Sequence, residues 1–264
     1  MSKIRTFHTE GDDVNINKIL PQHPCRMIIS GPSNCGKTNL LLNLIFDPDM
    51  PWDSISLFYG TKQKKYDLIQ KYCNGEVIES NGEQIEIPAK KRSHQKKKYK
   101  STSPEGQIPF EMFEGLPSAD WNKWLKSDER QTIPHLIIID DLMLQTEKSD
   151  TINKLFTIGS HHSNCTIINL CQSIFTNKLQ RNNADYYLTF NFDQDMTQIR
   201  TLFLQLEPTH WRELMEVYEE IMKTPYSWFL VDLRCKNLGM QHLKYRANGF
   251  DSVIDFENKK KGTT

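Results

Sequence analysis

Gly31-Pro32-Ser33-Asn34-Cys35-Gly36-Lys37-Thr38 has the spacing G-x-x-x-x-G-K-T. Gly31 and Gly36 permit backbone conformations that a Cβ would obstruct. Successive N–H groups can then turn inward and form a concave anion site. Lys37 brings a positive charge to that concavity, and the Thr38 hydroxyl is placed to ligate Mg²⁺. The flanks decide the fold. Arg26-Met27-Ile28-Ile29-Ser30 reads as a short buried strand. Asn39-Leu40-Leu41-Leu42-Asn43-Leu44-Ile45-Phe46 reads as a helix apolar almost all round, as expected of one lying beneath a sheet. Strand, glycine-rich loop and helix together predict that Gly31, Pro32, Ser33, Asn34, Cys35, Gly36, Lys37, Thr38 and Asn39 hold the phosphates of a nucleotide, ATP in the first instance. The helix directs its positive dipole end at the same groups.

The rest of the chain supplies more strands and helices in alternation. Ser54–Tyr59, Ile133–Asp141, Thr166–Cys171, Tyr186–Phe190 and Ser227–Asp232 read as strands, and Leu243–Arg246 as a short edge strand. Lys64–Tyr72, Thr151–Thr157 and Thr197–Leu206 read as helices. Trp211, Leu214, Met215, Tyr218 and Met222 form a stripe at helical spacing, read as core. This alternation predicts one α/β domain over residues 25–250 with a mostly parallel sheet. Residues 1–24 read as an N-terminal arm and 251–264 as a loose polar tail. A basic insertion at 81–108 carries Lys90, Lys91, Arg92, Lys96, Lys97, Lys98 and Lys100, with no acid from Ala89 to Lys100. Its composition suits a solvated insertion, a DNA-facing loop or a nuclear localisation signal. Trp121 and Trp124 are expected to anchor the chain back onto the core.

Leu136-Ile137-Ile138-Ile139-Asp140-Asp141 supplies the second half of a site. A continuous β-branched run ending in acids predicts a central parallel strand whose C-terminal end meets a ligand crevice. Asp140 is assigned to Mg²⁺, through a bound water, and Asp141 to an attacking water. Adjacent residues of an extended chain point opposite ways, so the two carboxylates can serve separate tasks. Gln172 ends the next apolar strand and would face the same crevice, where its amide could sense the γ-phosphate, position water or cap the next helix. His161-His162 looks like half a metal site, but no other Cys/His spacing supports one, and a loop role near the nucleotide edge is expected instead.

Bulk properties bound the reading. The chain has 264 residues, 33 basic and 33 acidic, so any nucleic-acid partner meets a local patch rather than a cationic protein. No apolar run approaches the roughly 20 residues of a membrane helix. Met1-Ser2-Lys3-Ile4-Arg5 lacks the apolar core of a secretory signal. The six cysteines include no C-x-x-C pair and suit a reducing compartment.

Four stretches together carry a family likeness: GPSNCGKTNLLLNLIF at Gly31–Phe46, HLIIIDDLM at His135–Met143, LFTIGSHHSNCTIINLCQSIF at Leu155–Phe175 and YSWFLVD at Tyr226–Asp232. They resemble the FtsK/HerA superfamily of DNA-pumping ATPases. Within it they are most similar to the poxvirus-type genome-packaging ATPases of large DNA viruses, virophages and Maverick/Polinton elements. The likeness runs loosely from about residue 25 to 233. It implies an α/β P-loop NTPase fold of the RecA/FtsK-HerA kind and an Mg²⁺-dependent ATPase. It also implies a homo-oligomeric ring, usually a hexamer, that drives double-stranded DNA into a capsid. By resemblance Gly31, Gly36, Lys37 and Thr38 bind nucleotide, Asp140 and Asp141 serve Mg²⁺ and hydrolysis, and Gln172 is the strand-end sensor. Each site would be completed by an arginine of the neighbouring subunit, with Arg181 and then Arg200 as candidates. The implied setting is inside the host cell, in the nucleus or a cytoplasmic viral factory, or in the virion. The family's Pro-Arg-Asp after the strand matching Tyr186–Phe190 is replaced by Asn191-Phe192-Asp193-Gln194-Asp195, which holds no arginine. Two other readings stay open on the residues alone: a P-loop nucleotide or nucleoside kinase, and a nucleotide-binding scaffold without turnover.

Overall fold

A computed structural model describes residues 3–6, 20–47, 49–76, 78–80, 83–85, 107–118, 133–142, 149–159, 164–175, 178–235, 244–250 and 252–255. The basic run from Lys90 to Lys100, Trp121, Trp124 and the His161-His162 pair lie outside these residues.

The apolar runs form the middle of a ten-stranded sheet. In chain order its strands are β1 (Lys3–Thr6), β2 (Arg26–Ser30), β3 (Ser54–Tyr59), β6 (Phe110–Glu114), β7 (His135–Asp140), β8 (Cys165–Cys171), β9 (Tyr186–Phe190), β10 (Trp228–Asp232), β11 (Tyr245–Ala247) and β12 (Ser252–Asp255). The two between, β4 (Ile78–Ser80) and β5 (Glu83–Ile85), pair apart as an antiparallel hairpin. The spatial order is β1-β12-β11-β10-β9-β2-β8-β7-β3-β6. The six strands from β9 to β6 are parallel, and the remainder run antiparallel. β7, β8, β9 and β10 are buried at every residue. That burial is why they read as unbroken apolar runs instead of alternating ones.

Period-two alternation divides these strands between two cores. Met27, Ile29, Leu136, Ile138, Ile168 and Leu170 face helices α1 (Lys37–Phe46) and α2 (Tyr66–Cys73). Ile28, Ile137, Ile139 and Ile167 face the other way. There they meet α3 (Asp150–Lys154), α5 (Met196–Leu206) and α6 (Trp211–Met222), while α4 (Lys178–Asn183) follows β8 in the chain. The stripe expected on α6 is core: Leu214, Tyr218 and Met222 are buried, and Trp211 and Met215 are half-buried against the same cluster. One buried polar residue on this face, Asn169, donates to Gln180 Oε1 at 3.2 Å, tying β8 to α4.

Four elements differ from the sequence reading. The helix expected over Thr151–Thr157 is α3 followed by a π-helical turn, Leu155–Gly159. β11 is not an edge, because β12 pairs beyond it. β12, within the expected tail, takes β1, within the expected arm, as its antiparallel partner, with Ile4 opposite Ile254. β6 is half-exposed and mixed in character, so it carries no apolar signal.

The antiparallel side holds a buried ion pair. Arg246 is fully buried, and its Nη2 pairs with Asp232 Oδ2. Removing one partner strands the other charge in low dielectric. Arg246→Ala is expected to cost about 3–5 kcal/mol in urea unfolding. Replacing both residues with apolar ones of similar size should recover most of that loss.

Candidate active site

The parallel strands end at a common level, and that level is where the predicted site residues meet. Ser30 of β2 registers with Cys171 of β8, and Asp140 of β7 with Leu170 of β8 and Tyr59 of β3. Just past the strands, Gly31 N–H donates to Cys171 O at 3.1 Å and Gly60 N–H to Asp140 O at 3.0 Å. The loop after β2, Gln172 after β8 and Asp140-Asp141 at the end of β7 are thereby locked side by side, with β8 between the loop strand and the acid strand.

The loop depends on its two glycines. Gly36 has φ of 112°, in the left-handed region. At Gly31 a Cβ would lie 2.6 Å from Cys35 Sγ and 2.8 Å from Phe190 Cβ. Phe190, at the end of β9, is thus the floor on which the loop rests. Lys37 Nζ donates to Gly31 O at 2.6 Å and Pro32 O at 2.7 Å, so the ammonium sits across the loop mouth. Burial pushes the Cys35 thiol pKa up, opposed by the Lys37 charge, so it stays protonated at neutral pH. Pro32, Ser33, Asn34 and Asn39 are exposed, and Asn39 Oδ1 accepts from Lys65 Nζ at 2.6 Å.

Thr38 and Asp140 are joined by a residue the sequence reading did not single out. Thr38 Oγ1 donates to Gln63 Oε1 at 3.2 Å, and Gln63 Nε2 donates to Asp140 Oδ2 at 3.3 Å. Tyr66 OH donates to the same Oδ2 at 2.8 Å. Asp140 is buried. Desolvation raises its pKa, and the Tyr66 hydroxyl and Lys37 charge oppose that rise. The donor set suits a hard cation: the Thr38 hydrogen is committed to Gln63, which leaves the Oγ1 lone pairs free, and both donors on Asp140 converge on one carboxylate oxygen. Tyr66 carried a readable signal, since a tyrosine on a buried helical face needs a partner for its hydroxyl. Gln63, in the loop before α2, carried none.

Asp141 departs from the expected geometry. The two acids are separated by a turn, not by strand alternation: Asp141 has φ of 57° and is exposed beyond the strand. Gly60 makes this turn possible, because a Cβ there would overlap Asp141 O. Asp141 Oδ1 accepts from Gln172 Nε2 at 3.3 Å, which joins two of the predicted site residues. The arginine candidates lie elsewhere. The Arg181 guanidinium sits 4.5 Å from the Phe175 ring centre, with Nε and Nη1 buried and without a hydrogen-bond partner among the described residues. Arg200 is exposed, and its guanidinium lies 5.0 Å from the centre of the Trp211 ring. Among the described residues no group of three or more His, Cys, Asp or Glu side chains could hold a metal, and no helix is long and apolar enough to cross a membrane.

Gly31→Ala tests the floor. The added methyl group must displace the end of a strand or the loop itself. The expected cost is about 1–3 kcal/mol, with a Tm several degrees lower in thermal unfolding.

No family model and no curated protein matches the sequence. Solved structures do. B204, the DNA-packaging ATPase of Sulfolobus turreted icosahedral virus, superposes with a TM-score of 0.52 at 10% identity, over 86% of this chain and 98% of that one. The genome-packaging NTPase B204 of Sulfolobus turreted icosahedral virus 2 gives 0.50 at 12% identity in its ATP-γ-S complex, over 86% and 98%. Its AMPPCP complex gives 0.51 at 10% identity, over 86% and 97%. At this identity the likeness is one of fold, and the fold is that of an α/β P-loop NTPase with a mostly parallel central sheet.

Proposed function

We propose that this chain is an Mg²⁺-dependent ATPase that works in a homo-oligomeric ring to drive double-stranded DNA into a capsid. The observation that carries the proposal is the meeting of Lys37, the Thr38–Gln63–Asp140 bridge and the Asp141–Gln172 pair at one sheet edge. They do so on a fold shared with packaging ATPases.

Each residue has a role that its chemistry permits. The loop N–H groups of residues 33–39 and the Lys37 ammonium hold the phosphates. Thr38 and Asp140 hold Mg²⁺, which when bound neutralises charge developing on the phosphate oxygens. Gln63 and Tyr66 fix the orientation of both ligands. Asp141 accepts a proton from, or orients, the attacking water, and Gln172 holds its carboxylate in place. A neighbouring subunit contributes an arginine to offset charge in the transition state. Arg200 is the better placed of the two candidates, because it is exposed, whereas Arg181 has two guanidinium nitrogens buried beside Phe175. DNA and capsid protein are the partners, and the host-cell interior or the virion is the setting.

The test is ATP hydrolysis with and without double-stranded DNA, at low and moderate salt. DNA should stimulate hydrolysis, and the stimulation should fall as salt rises, because phosphate contacts release counterions. Lys37→Ala should lower turnover about 100-fold or more, with or without DNA. ADP formation indifferent to DNA, dependent on a nucleotide or nucleoside acceptor and without phosphate release would favour the kinase, and tight binding without turnover the scaffold.

Gln63→Leu gives a second, independent check. It removes the bridge while leaving both metal ligands in place. The Mg²⁺ concentration for half-maximal hydrolysis should rise roughly 10-fold or more, with a smaller change in ATP affinity. An unchanged metal requirement would remove Gln63 from the site.

A further inference from the structure

Tyr226 is 74% exposed, more than any other large apolar side chain among the described residues. Its backbone has φ of 62°, which bulky residues rarely adopt. Burial does not require this ring, and local preference does not favour this backbone. The surroundings impose it. Ser227 N–H donates to Thr224 O at 3.3 Å, closing the turn Thr224-Pro225-Tyr226-Ser227. Proline second and positive φ third is the type II pattern, whose third position favours glycine or asparagine. Asn248 fixes the exit of the turn: its Oδ1 accepts from Trp228 N–H at 2.9 Å and its Nδ2 donates to Ser227 Oγ at 3.2 Å. A strained residue held this firmly and offered to solvent points to a function.

The position of the turn indicates which function. β10 starts at Trp228, which registers with Phe190 at the end of β9, and β9 lies beside β2. The turn therefore stands at the same sheet edge as the phosphate loop. A Cβ built on Gly36 would lie 3.7 Å from Tyr226 Cδ1. Asp140, Asp141 and Gln172 lie on the opposite side of the loop, at the ends of β7 and β8. A nucleotide whose terminal phosphate faces Asp141 and Gln172 extends its sugar and base toward β9 and β10. We propose that Tyr226 is the platform on which the base of the bound nucleotide stacks, an inference that rests on the nucleotide-site reading above. The backbone beneath the ring is held by its turn, so binding needs to order only the side-chain torsions of Tyr226. Every base has a π-face, so the platform favours nucleotides over bare polyphosphate and discriminates weakly among bases.

Calorimetric titration of the full chain with ATP and with tripolyphosphate, both with Mg²⁺, tests this. Tyr226→Ala should weaken ATP binding roughly 5- to 100-fold and leave tripolyphosphate binding unchanged. Tyr226→Phe should match the native chain. Tyr226→Gly relaxes the backbone, so it should melt no lower than the native chain while losing ATP affinity as the alanine variant does, which separates stacking from folding. Equal losses for the two ligands, or unchanged ATP affinity in the alanine variant, overturn the platform. Lys37→Ala should weaken both ligands. If it weakens neither, the nucleotide-site reading fails and the platform falls with it. If it weakens both while Tyr226→Ala changes nothing, the platform alone is overturned.

Discussion

The phosphate loop crosses Phe190 more closely than any side chain at Gly31 would permit. Much of the site depends on that one contact. Phe190 is the last residue of β9, and its carbonyl accepts the Tyr218 hydroxyl at 2.7 Å from α6 on the far face of the sheet. The height of the loop is therefore set by both cores. Its lateral position is set by β8, because Gly31 N–H continues the ladder onto Cys171 O. A loop clamped below and to one side has its remaining N–H groups, its lysine and its threonine presented at the crevice. Such a backbone anion site needs little rearrangement to receive phosphate.

The electrostatics follow the same geometry. Asp140 is buried and Asp141 is exposed, although they are adjacent. Burial raises the pKa of Asp140 and so disfavours its charge in the empty crevice, and Tyr66, Gln63 and the nearby Lys37 counter that cost. A divalent cation beside it would favour the same carboxylate form. Asp141, turned out of the strand by its left-handed φ, keeps access to water and is oriented, among the described residues, by Gln172. Two carboxylates one residue apart thus occupy different environments, which is what a division between metal holding and water orientation requires.

The parts legible in the sequence were those whose signal is local. The glycine-rich loop, the β-branched run into Asp140 and the apolar strand before Gln172 each state their structure within ten residues. The sheet partners of those strands were legible only as a class, because α/β alternation implies parallel pairing without giving an order. Long-range pairing was hidden. β1 and β12 stand at opposite ends of the chain, are short, and become a sheet edge only through each other. β6 was hidden because its exposed faces interrupt the apolar pattern. Gln63 was hidden for another reason: its work is done by an amide bridging two residues 25 and 77 positions away, and no spacing rule encodes that. Asp141 was misjudged in geometry, not in place, since a left-handed aspartate became feasible only where Gly60 gave it room.

The strand end that carries Gln172 is also tied away from the crevice. Ser173 Oγ and Ile174 N–H both donate to Gln198 Oε1 at 2.9 Å, and Gln198 Nε2 donates to Asp195 Oδ2 at 2.8 Å at the start of α5. Gln198 is thus engaged on both sides of its amide, and its acceptor oxygen holds the two residues that follow Gln172. Any displacement of Gln172 along its strand direction strains these bonds or moves α5 with it. Arg200 lies on that helix two residues further on, its guanidinium 5.0 Å from the centre of the Trp211 ring, which the Arg212 guanidinium approaches to 4.6 Å. The residue that contacts Asp141 and the exposed Arg200 are therefore mounted on one hydrogen-bonded unit. Such a unit ties the strand end at the crevice to the helix that carries Arg200. Two amide side chains and one helix supply it here.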